Sequence, residues 1–467
     1  MHHPRVRRVS GAAANLLVLA LFAPTVVLAQ EGAPPSPSPS PAPGGFAASL
    51  AKFTAEKPDV MKAARALIDQ RYDLADRPSA DAKSSRGRPL QEGVRVKLPA
   101  GMTWEKLGAM PADEIKKGDH YPAGFLPLPG ANQAEGGMIF PQHHIDELKK
   151  QTGRDLTRFD IEHEFPAHLL PEFPPAIYLT TRPDLGDVSK GQLVTSDNFT
   201  ELFRDILNPK QMEGLRLLVT PFPQAQFNGT DDRRSARPSL GVSCLDCHAN
   251  GHTNAATHLV GDIRPQAFRH RIDTPSLRGT NVQRLFGSQR ALKSVEDFTE
   301  FEQRAAYFDG DPVQATRKGV NILERGSQVH FMAEFQAILD FPPAPKLDIF
   351  GHLDPSKATD SEKKGEALFL GKARCVECHT PPYYTDNSMH NLQTERFFET
   401  KTIAGHTMIG DGSIKTFPLR GLRDSPPYLH DGRLLTIEDS VEFFNLILGV
   451  KLSADEKKDL VAFLRVL

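Results

Sequence analysis

The placement of the cysteines constrains this chain more than any other feature. The chain has four cysteines among 467 residues, and all of them fall in two short segments that share one pattern. Residues 241–252 read GVSCLDCHANGH, and residues 371–382 read GKARCVECHTPP. Each segment holds two cysteines one helical turn apart, with a histidine directly after the second. The residues of the two motifs are Cys244, Cys247 and His248, then Cys375, Cys378 and His379.

Three kinds of site can use four such cysteines. In an oxidising compartment the ordinary outcome is two disulfides, and paired CxxC segments also suit a four-cysteine zinc site. Neither explains why a histidine follows each pair. Covalent haem attachment does, because two thiols one turn apart reach both vinyl groups of one porphyrin while the next imidazole reaches the iron. The motifs therefore favour two covalently bound haem c groups, with zinc and disulfides as the alternatives.

The N-terminus has the features of an export signal. Residues 1–29 combine a positive segment, containing Arg5, Arg7 and Arg8, with an apolar run that ends in the small-residue sequence VLA. This is typical of a cleaved secretory signal peptide rather than of a spanning helix. Residues 30–45 are rich in proline and serine and predict a linker that does not pack. The mature protein is expected in a bacterial periplasm or otherwise exported.

Charge and hydropathy exclude two classes of protein. Lys and Arg number 56 against 58 Asp and Glu, so the formal net charge is −2. No basic block follows the signal segment, and nucleic-acid binding therefore has no support. No later stretch is long and apolar enough to span a bilayer, so the mature chain is not expected to be transmembrane.

The sequences that follow the two motifs repeat each other. Residues 275–301 read PSLRGTNVQRLFGSQRALKSVEDFTEF, and residues 417–443 read FPLRGLRDSPPYLHDGRLLTIEDSVEF. At a fixed offset of 142 residues, the LRG of 277–279 faces the LRG of 419–421. An internal repeat of this kind indicates two copies of one domain.

Helix starts are predicted in both copies. A serine or threonine followed three residues later by an acidic residue is typical of a capping box. This pattern occurs at Ser294 with Asp297, Thr436 with Asp439, and Ser453 with Glu456. Phe301 and Phe443, which correspond at the same offset, are expected to pack in the core.

These patterns predict a mainly α fold. It consists of two tandem cytochrome c-like helical haem domains, preceded by a loop-rich extension of unknown fold. The expected boundaries are 46–235 for the unassigned extension, 236–345 for the first domain and 346–467 for the second. The haems are expected to face each other across the domain interface, where cofactors often lie.

The C-terminal half resembles the bacterial di-haem cytochrome c peroxidase and MauG superfamily. The resemblance covers about residues 236–467 and rests on GKARCVECHT, KTFPLRGLRDSPPYLHDGRLLTIEDSVEFFN and LSADEKKDLVAFLRVL, with DTPSLRG in the first copy. It implies an electron-transferring oxidoreductase in which one haem reduces peroxide or activates oxygen. The other haem would exchange electrons with a small redox protein, a cytochrome c or a copper protein.

The same resemblance implies a calcium ion between the haems. Asp273 stands where the first domain offers a ligand, and Ser425 and Pro427 stand where the second domain offers backbone carbonyls. Oxygen ligands suit calcium. The alternative for Asp273 is a turn cap without a metal.

The chain departs from the family pattern in three places. Gly287 takes the slot where peroxidase members carry a tryptophan, and Trp104, the one tryptophan of the chain, lies in the extension. Phe444 takes the usual place of the second haem's distal methionine or tyrosine, and a phenyl ring cannot bind iron. No catalytic glutamate is assigned, because counting along the chain leads to Tyr307, with Glu302 and Asp309 nearby.

The distal ligand of each iron is therefore open. For the first haem the resemblance favours His258, while His252 and His270 are expected to have loop or surface roles. For the second haem the nearest candidates are Met408 and His406. An empty sixth position is the other reading, and it would make the second haem the reactive one. His430 corresponds to a residue that family members place near the haem without binding iron.

Two functions fit these observations. One is an enzyme of the cytochrome c peroxidase or MauG type, and the other is a di-haem cytochrome that transfers electrons without substrate chemistry. The missing tryptophan and the unassigned glutamate favour the carrier. The family motifs and the absence of the usual ligand at Phe444 favour the enzyme. The remaining histidines of the extension match no metal motif and are expected to be ordinary surface or core residues.

Overall fold

Helices make up most of the regular structure, and the strands are short. The computed structural model describes residues 45–128, 138–156, 164–221, 242–258, 271–288, 290–308, 325–398, 401–403, 406–408 and 412–467. Within these ranges the α-helices are α1 (Gly45–Arg71), α2 (Trp104–Ala109), α3 (Ala112–Lys117), α4 (Gln142–Thr152), α5 (Phe199–Phe203), α6 (Pro209–Val219), α7 (Cys244–Cys247), α8 (Val295–Phe308), α9 (His330–Gln336), α10 (Asp360–Leu370), α11 (Ile437–Leu448) and α12 (Ala454–Leu464). The prediction of a mainly α fold is confirmed.

The strands form small antiparallel pairs that join distant segments. They are β1 (Pro78–Lys83), β2 (Pro89–Gln91), β3 (Met138–Ile139), β4 (Tyr178–Leu179), β5 (Thr257–His258), β6 (Ile272–Asp273), β7 (Leu339–Asp340), β8 (Met389–Asn391), β9 (Lys401–Ile403), β10 (His406–Met408) and β11 (Ser413–Lys415). The strand orders are β1-β2, β3-β5-β6, β4-β7, β9-β10 and β8-β11. Strands β3 and β4 of the extension thus pair with strands that follow the first motif.

The predicted helix starts are confirmed. The Thr436 hydroxyl accepts a hydrogen bond from the Asp439 amide at 3.1 Å, and the Asp439 carboxylate accepts one from the Thr436 amide. Ser453 and Glu456 form the same reciprocal pair at the start of α12. Before α8, the Ser294 hydroxyl accepts from the Asp297 amide at 3.2 Å. Each cap satisfies amides that a helix leaves without partners.

The repeat in the sequence is also a repeat in local structure. At the same offset, one 3₁₀ turn follows each LRG, one isolated bridge follows each turn, and one helix follows each bridge. The turns are Thr280–Val282 and Leu422–Asp424, and the bridges are Phe286 to Leu292 and Tyr428 to Leu434. The helices are α8 and α11.

The glycines of the two LRG sequences explain how the copies are joined. Gly279 and Gly421 have φ of 71° and 76°, in the left-handed region that favours glycine. A Cβ atom at Gly279 would collide with the Phe341 ring, and one at Gly421 would press on Pro342. Phe341 and Pro342, which are adjacent in the chain, therefore pack against equivalent turns of the two copies.

Each motif is also accompanied by a pair of crossing helices. Helix α6 packs on α9, where Gly214 lies against the Phe331 carbonyl. Helix α10 packs on α12, where Gly365 lies against the Asp459 carbonyl. A larger side chain at either glycine would collide with the backbone of the partner helix, so close approach requires glycine there.

The extension shares its core with the two copies. Ile68, Tyr72 and Phe125 belong to one apolar cluster with Phe443 and Phe463 of the second copy. Helix α4 forms another cluster with the first motif, and α6 joins a third with α9. Residues Gly44–Leu467 form one compact unit. Among the described residues, no helix is both long and apolar enough to cross a membrane.

Candidate functional site

The first motif begins with a short capped helix. Helix α7 runs from Cys244 to Cys247, which places both thiols on one side, one turn apart. The Asp246 carboxylate accepts a hydrogen bond from the Ser243 amide at 2.7 Å and closes a capping box. In the second motif a 3₁₀ turn covers Cys375–Glu377. The sequence at each motif thus folds into a single turn that presents two thiols.

The four thiols belong to two separate motifs. None of them is in a disulfide. Within the described ranges, no group of three or more His, Cys, Asp or Glu side chains is placed to hold a metal ion. Burial raises the pKa of the Cys244 and Cys375 thiols to about 12, so both are neutral. The geometry therefore favours two independent sites of two thiols each.

The histidine that ends each motif has a defined tautomer. His248 Nδ1 lies 2.9 Å from the Pro275 carbonyl oxygen, and His379 Nδ1 lies 2.8 Å from the Tyr384 carbonyl oxygen. A carbonyl can only accept, so Nδ1 carries the hydrogen in each ring and Nε2 keeps its lone pair. This is the arrangement that orients an imidazole as a metal ligand. The residues present at both motifs fit a haem bound through two thioethers and one histidine.

Residues of the extension hold the back of the first motif. Arg154 forms a two-pronged ion pair with the Asp246 carboxylate, with N–O distances of 2.9 and 2.5 Å, and both side chains are buried. Asn254 donates to the Asp246 carbonyl at 2.8 Å and to His144 Nδ1 at 2.7 Å. Burial lowers the pKa of His144 to about 4, so its ring is neutral. His144 is thus a buried support residue, within the ordinary roles expected for it.

A second buried network joins the two copies. His252 Nδ1 lies 2.7 Å from the Ser276 hydroxyl, and its Nε2 donates to the Asp424 carbonyl at 2.9 Å. Both ring nitrogens have partners, and His252 is buried between the two copies, so no ring nitrogen is left for iron in this arrangement. The Asp424 carboxylate accepts from the Ser85 amide at 2.9 Å and lies 3.3 Å from Arg278 Nη1. One carboxylate therefore links the extension and both copies.

The residues predicted to bind calcium lie near each other. Asp273 is half-buried as a residue, but its Oδ1 atom is inaccessible and has no hydrogen-bond partner. Burial raises the pKa of this carboxyl well above its usual range. A Cβ atom at Gly432 would lie 3.0 Å from Pro427 and 3.5 Å from Asp273, so Gly432 lies between them. Ser425 lies two residues before Pro427 in the same loop.

The distal candidates are located only by their backbone. His258 pairs with Met138 of β3 and Ile272 of β6. Met408 pairs with Lys401 and His406 with Ile403. The side chains of these residues lie outside what the structure describes, as do the Tyr307 side chain and the whole of His163, His270 and Asp309. The distal assignments remain predictions.

Trp104 lies against the second copy. Its ring stacks on Phe125 at 5.5 Å between centroids, and Phe125 meets Phe443 edge to face at 5.4 Å. Phe443 is completely buried and in turn contacts Phe444, which confirms the core role predicted for Phe443. Phe301 is half-buried, and the centroid of its ring lies 6.4 Å from that of Phe298.

Reasoning from the sequence missed the supporting residues. Nothing in the local pattern singles out Arg154 or Asn254, because each acts on Asp246 from a distance along the chain. The offset between the copies could have identified one further residue. At that offset Lys415 corresponds to Asp273, so two ionisable residues of opposite sign occupy one position of the repeat.

Comparison with known proteins gives relatives of one kind. No protein-family model matches the chain. It is 29% identical over 282 residues to a cytochrome-c peroxidase of Denitromonas iodatirespirans, covering 49% of this chain and 76% of that protein. It is 32% identical over 154 residues to the methylamine utilization protein MauG of Methylorubrum extorquens. It is 32% identical over 143 residues to the cytochrome c551 peroxidase of Nitrosomonas europaea.

The last two alignments each cover 29% of this chain and 42% of the relative, less than half of its length. Among solved structures, a hydrazine synthase of Kuenenia stuttgartiensis has 18% identity and a TM-score of 0.38, over 59% of this chain and 93% of that chain. A MauG-like protein associated with microbial copper homeostasis has 19% identity and a TM-score of 0.38, over 56% and 88%. The curated homologues of this chain are thus cytochrome c peroxidases and MauG, members of the di-haem superfamily, as the resemblance predicted.

Proposed function

We propose that the chain is an exported di-haem c-type cytochrome, an oxidoreductase of the cytochrome c peroxidase and MauG type. The observation that carries this proposal is the shared geometry of the two motifs. In each, a turn presents two thiols that are not in a disulfide, and the next histidine donates Nδ1–H to a backbone carbonyl. The homology to cytochrome c peroxidases and MauG supports the same conclusion.

Each residue of a motif has a separate task in this proposal. Cys244 and Cys247 hold the first haem by thioether bonds, and Cys375 and Cys378 hold the second. His248 and His379 are the proximal ligands. A bound haem supplies one-electron chemistry and, where an axial position is open, a site for peroxide or oxygen. The carbonyls of Pro275 and Tyr384 keep each imidazole in the tautomer that can bind iron.

The repeated local structure supports two tandem cytochrome c-like domains. In this proposal each domain consists of a motif, the turn after LRG, the isolated bridge and a pair of crossing helices. Helix α6 then belongs to the first domain although it precedes residue 236, because it packs on α9 as α10 packs on α12. The rest of the extension buttresses both domains.

Calcium between the copies is part of the proposal. The buried Oδ1 atom of Asp273, which lacks a hydrogen-bond partner, is an oxygen that a cation would satisfy. The backbone carbonyls of Ser425 and Pro427 would complete a site around Gly432. The signal segment supports a periplasmic location, and a small cytochrome c or copper protein is the proposed redox partner.

The haem content tests the proposal directly. The full chain, produced with haem-maturation machinery, is expected to carry two covalent haems by intact mass. Replacing Cys375 and Cys378 by alanine should leave only the haem of the first motif. Replacing Cys244 and Cys247 should leave only the haem of the second motif. Absence of covalent haem from the unaltered protein would overturn the proposal and return the cysteines to zinc or disulfides.

Spin state separates the enzyme from its alternative. If one haem reduces peroxide or activates oxygen, the ferric protein should show a high-spin EPR signal from an open iron, either at rest or after partial reduction. The alternative is a di-haem electron carrier without substrate chemistry, which Gly287 at the family's tryptophan position favours. Low-spin signals from both haems in every redox state, with no peroxide turnover, would establish the carrier.

A further inference from the structure

Lys415 is a buried cation at the junction of the two copies. It ends β11, and only 3% of its surface is exposed. Its Nζ donates to the Gln283 side-chain oxygen at 2.9 Å and to the Leu285 carbonyl at 2.8 Å. Its own amide donates to the Ser288 carbonyl at 2.9 Å. The second copy therefore inserts this side chain into the segment of the first copy that contains Gly287.

Two aromatic rings complete the surroundings of the ammonium. Its Nζ lies 5.4 Å from the centroid of Phe286 and 5.3 Å from that of Phe417. Both rings are within the range of a cation–π contact, which is worth more when the cation is desolvated. In the described part of the chain no carboxylate lies within ion-pair distance of Nζ. Two oxygens and two ring faces thus surround the ammonium. Burial and the charge of Arg290 lower the pKa of Lys415 to about 8, so the side chain is mainly protonated at pH 7.

The strand that carries Lys415 is tied to the proximal side of the second motif. Thr385 donates to the Thr416 carbonyl at 2.6 Å, and the Thr416 amide donates to the Ser388 carbonyl at 2.9 Å. The residue before Thr385 is Tyr384, whose carbonyl fixes His379. Lys415 is therefore next in sequence to a residue that contacts the loop holding the proximal histidine.

The internal repeat points to the same location. At the 142-residue offset, Phe417 corresponds to Pro275, whose carbonyl fixes His248 in the first copy. Lys415 and Asp273 each precede that residue by two positions. The equivalent position, two residues before Pro275 in one copy and before Phe417 in the other, thus carries a buried lysine in the second copy and a carboxyl group in the first.

We propose that the buried charge of Lys415 raises the reduction potential of the haem at the second motif above the value that a neutral residue would allow. This rests on the proposed function, since it requires a haem at Cys375 and Cys378. Reduction adds one electron to ferric iron and breaks no bond, so a nearby positive charge favours the ferrous state. Little water screens that charge in a buried site, which makes the interaction stronger than at the surface.

Charge and hydrogen bonding can be separated by three substitutions. Lys415→Gln keeps a hydrogen-bond donor without the charge, Lys415→Met removes both, and Lys415→Arg keeps the charge. The measurement is an optical redox titration of the full-length protein with both haems bound. A variant in which Cys375 and Cys378 are alanine identifies the signal of the second haem. Intact mass confirms haem loading, and circular dichroism confirms the fold.

The expected result follows the charge. At a fixed ambient potential, Lys415→Gln and Lys415→Met should each shift the ferric to ferrous ratio of the second haem at least tenfold toward ferric, equivalent to about 59 mV for one electron. Lys415→Arg should shift it less than threefold. If the ferric to ferrous ratio of Lys415→Gln equals that of the unaltered protein, or if that of Lys415→Arg equals that of Lys415→Met, packing or hydrogen bonding controls the potential. The inference is then wrong. Absence of covalent haem from the unaltered protein would instead contradict the proposed function.

Discussion

Single residues at this site act mainly through the protonation state that burial imposes on them. His248 and His379 present Nε2 because each gives its one N–H to a backbone carbonyl. His252 cannot do the same because both of its nitrogens have partners. The residue type alone therefore does not decide whether a histidine can bind iron. The carbonyl or hydroxyl that faces the ring decides which nitrogen keeps a lone pair.

Acid should destabilise the protein through His144. Its pKa is lowered from 6.5 to about 4 because burial disfavours the charged ring. Between these pH values the unfolded chain binds a proton that the folded chain does not, so the free energy of unfolding falls as pH drops from about 6.5 to about 4. His144→Gln should remove about 3 kcal/mol of that fall. Urea unfolding at pH 7.5 and pH 4 measures it, and equal falls in both proteins would contradict the assignment.

Calcium should stabilise the protein through Asp273. Its buried Oδ1 atom has no hydrogen-bond partner, and burial raises the pKa of the carboxyl well above its usual range. Added calcium is expected to raise the melting temperature of the unaltered protein by several degrees and to leave Asp273→Ala unchanged. Magnesium serves as the control, because it prefers a smaller octahedral site. Equal responses of both proteins to calcium would place the ion elsewhere.

Among the elements, helix α7 shows how a short segment is held in place. It has four residues, too few to be stable alone. A cap at its start and the ion pair from Arg154 to Asp246 fix it against the extension. The two thiols can therefore stand in a fixed position because Arg154, 92 positions before Asp246 in the chain, holds the turn that carries them.

Breaking the ion pair behind α7 should be costly. Arg154→Met leaves the Asp246 carboxylate buried without its partner and should lower the free energy of unfolding by about 3 kcal/mol. Adding Asp246→Asn should recover part of the loss, because the amide oxygen can still accept from Ser243. Arg182→Met breaks an ion pair with 38% and 61% exposed side chains and should cost much less than the buried change, because water screens this pair. Urea unfolding compares them, and equal costs would show that burial does not strengthen the pair.

Across the whole molecule, the extension and the two copies share their interior. Tyr72 of the extension is buried, and its hydroxyl lies 2.8 Å from the Gly124 carbonyl and 2.6 Å from the Arg433 carbonyl. Asp439 of the second copy accepts from the amides of Arg95 and Val96. Apolar and polar contacts thus cross the predicted boundary at residue 235 in both directions.

The described unit should therefore unfold as a whole. Tyr72→Phe removes the single buried O–H that the two carbonyls share and should lower the free energy of unfolding by about 2 kcal/mol. Calorimetry should show one transition in both proteins, shifted to lower temperature in the variant. Ser440→Ala, a change in a partly exposed hydroxyl of α11, is the control and should have a small effect. Two separate transitions, with only one shifted, would show that the extension folds independently.

The sequence by itself determined the motifs, the repeat and the helix starts, because each depends on residues within a few positions of one another. Cys244, Cys247 and His248 lie within one turn, and Thr436 reaches Asp439 across one turn. From these followed the mainly α fold and the resemblance that homology confirms. The tertiary structure alone decided which groups surround them. Arg154 and Lys415 reach their partners across long stretches of chain, and the folded chain rather than local spacing decides their hydrogen bonds.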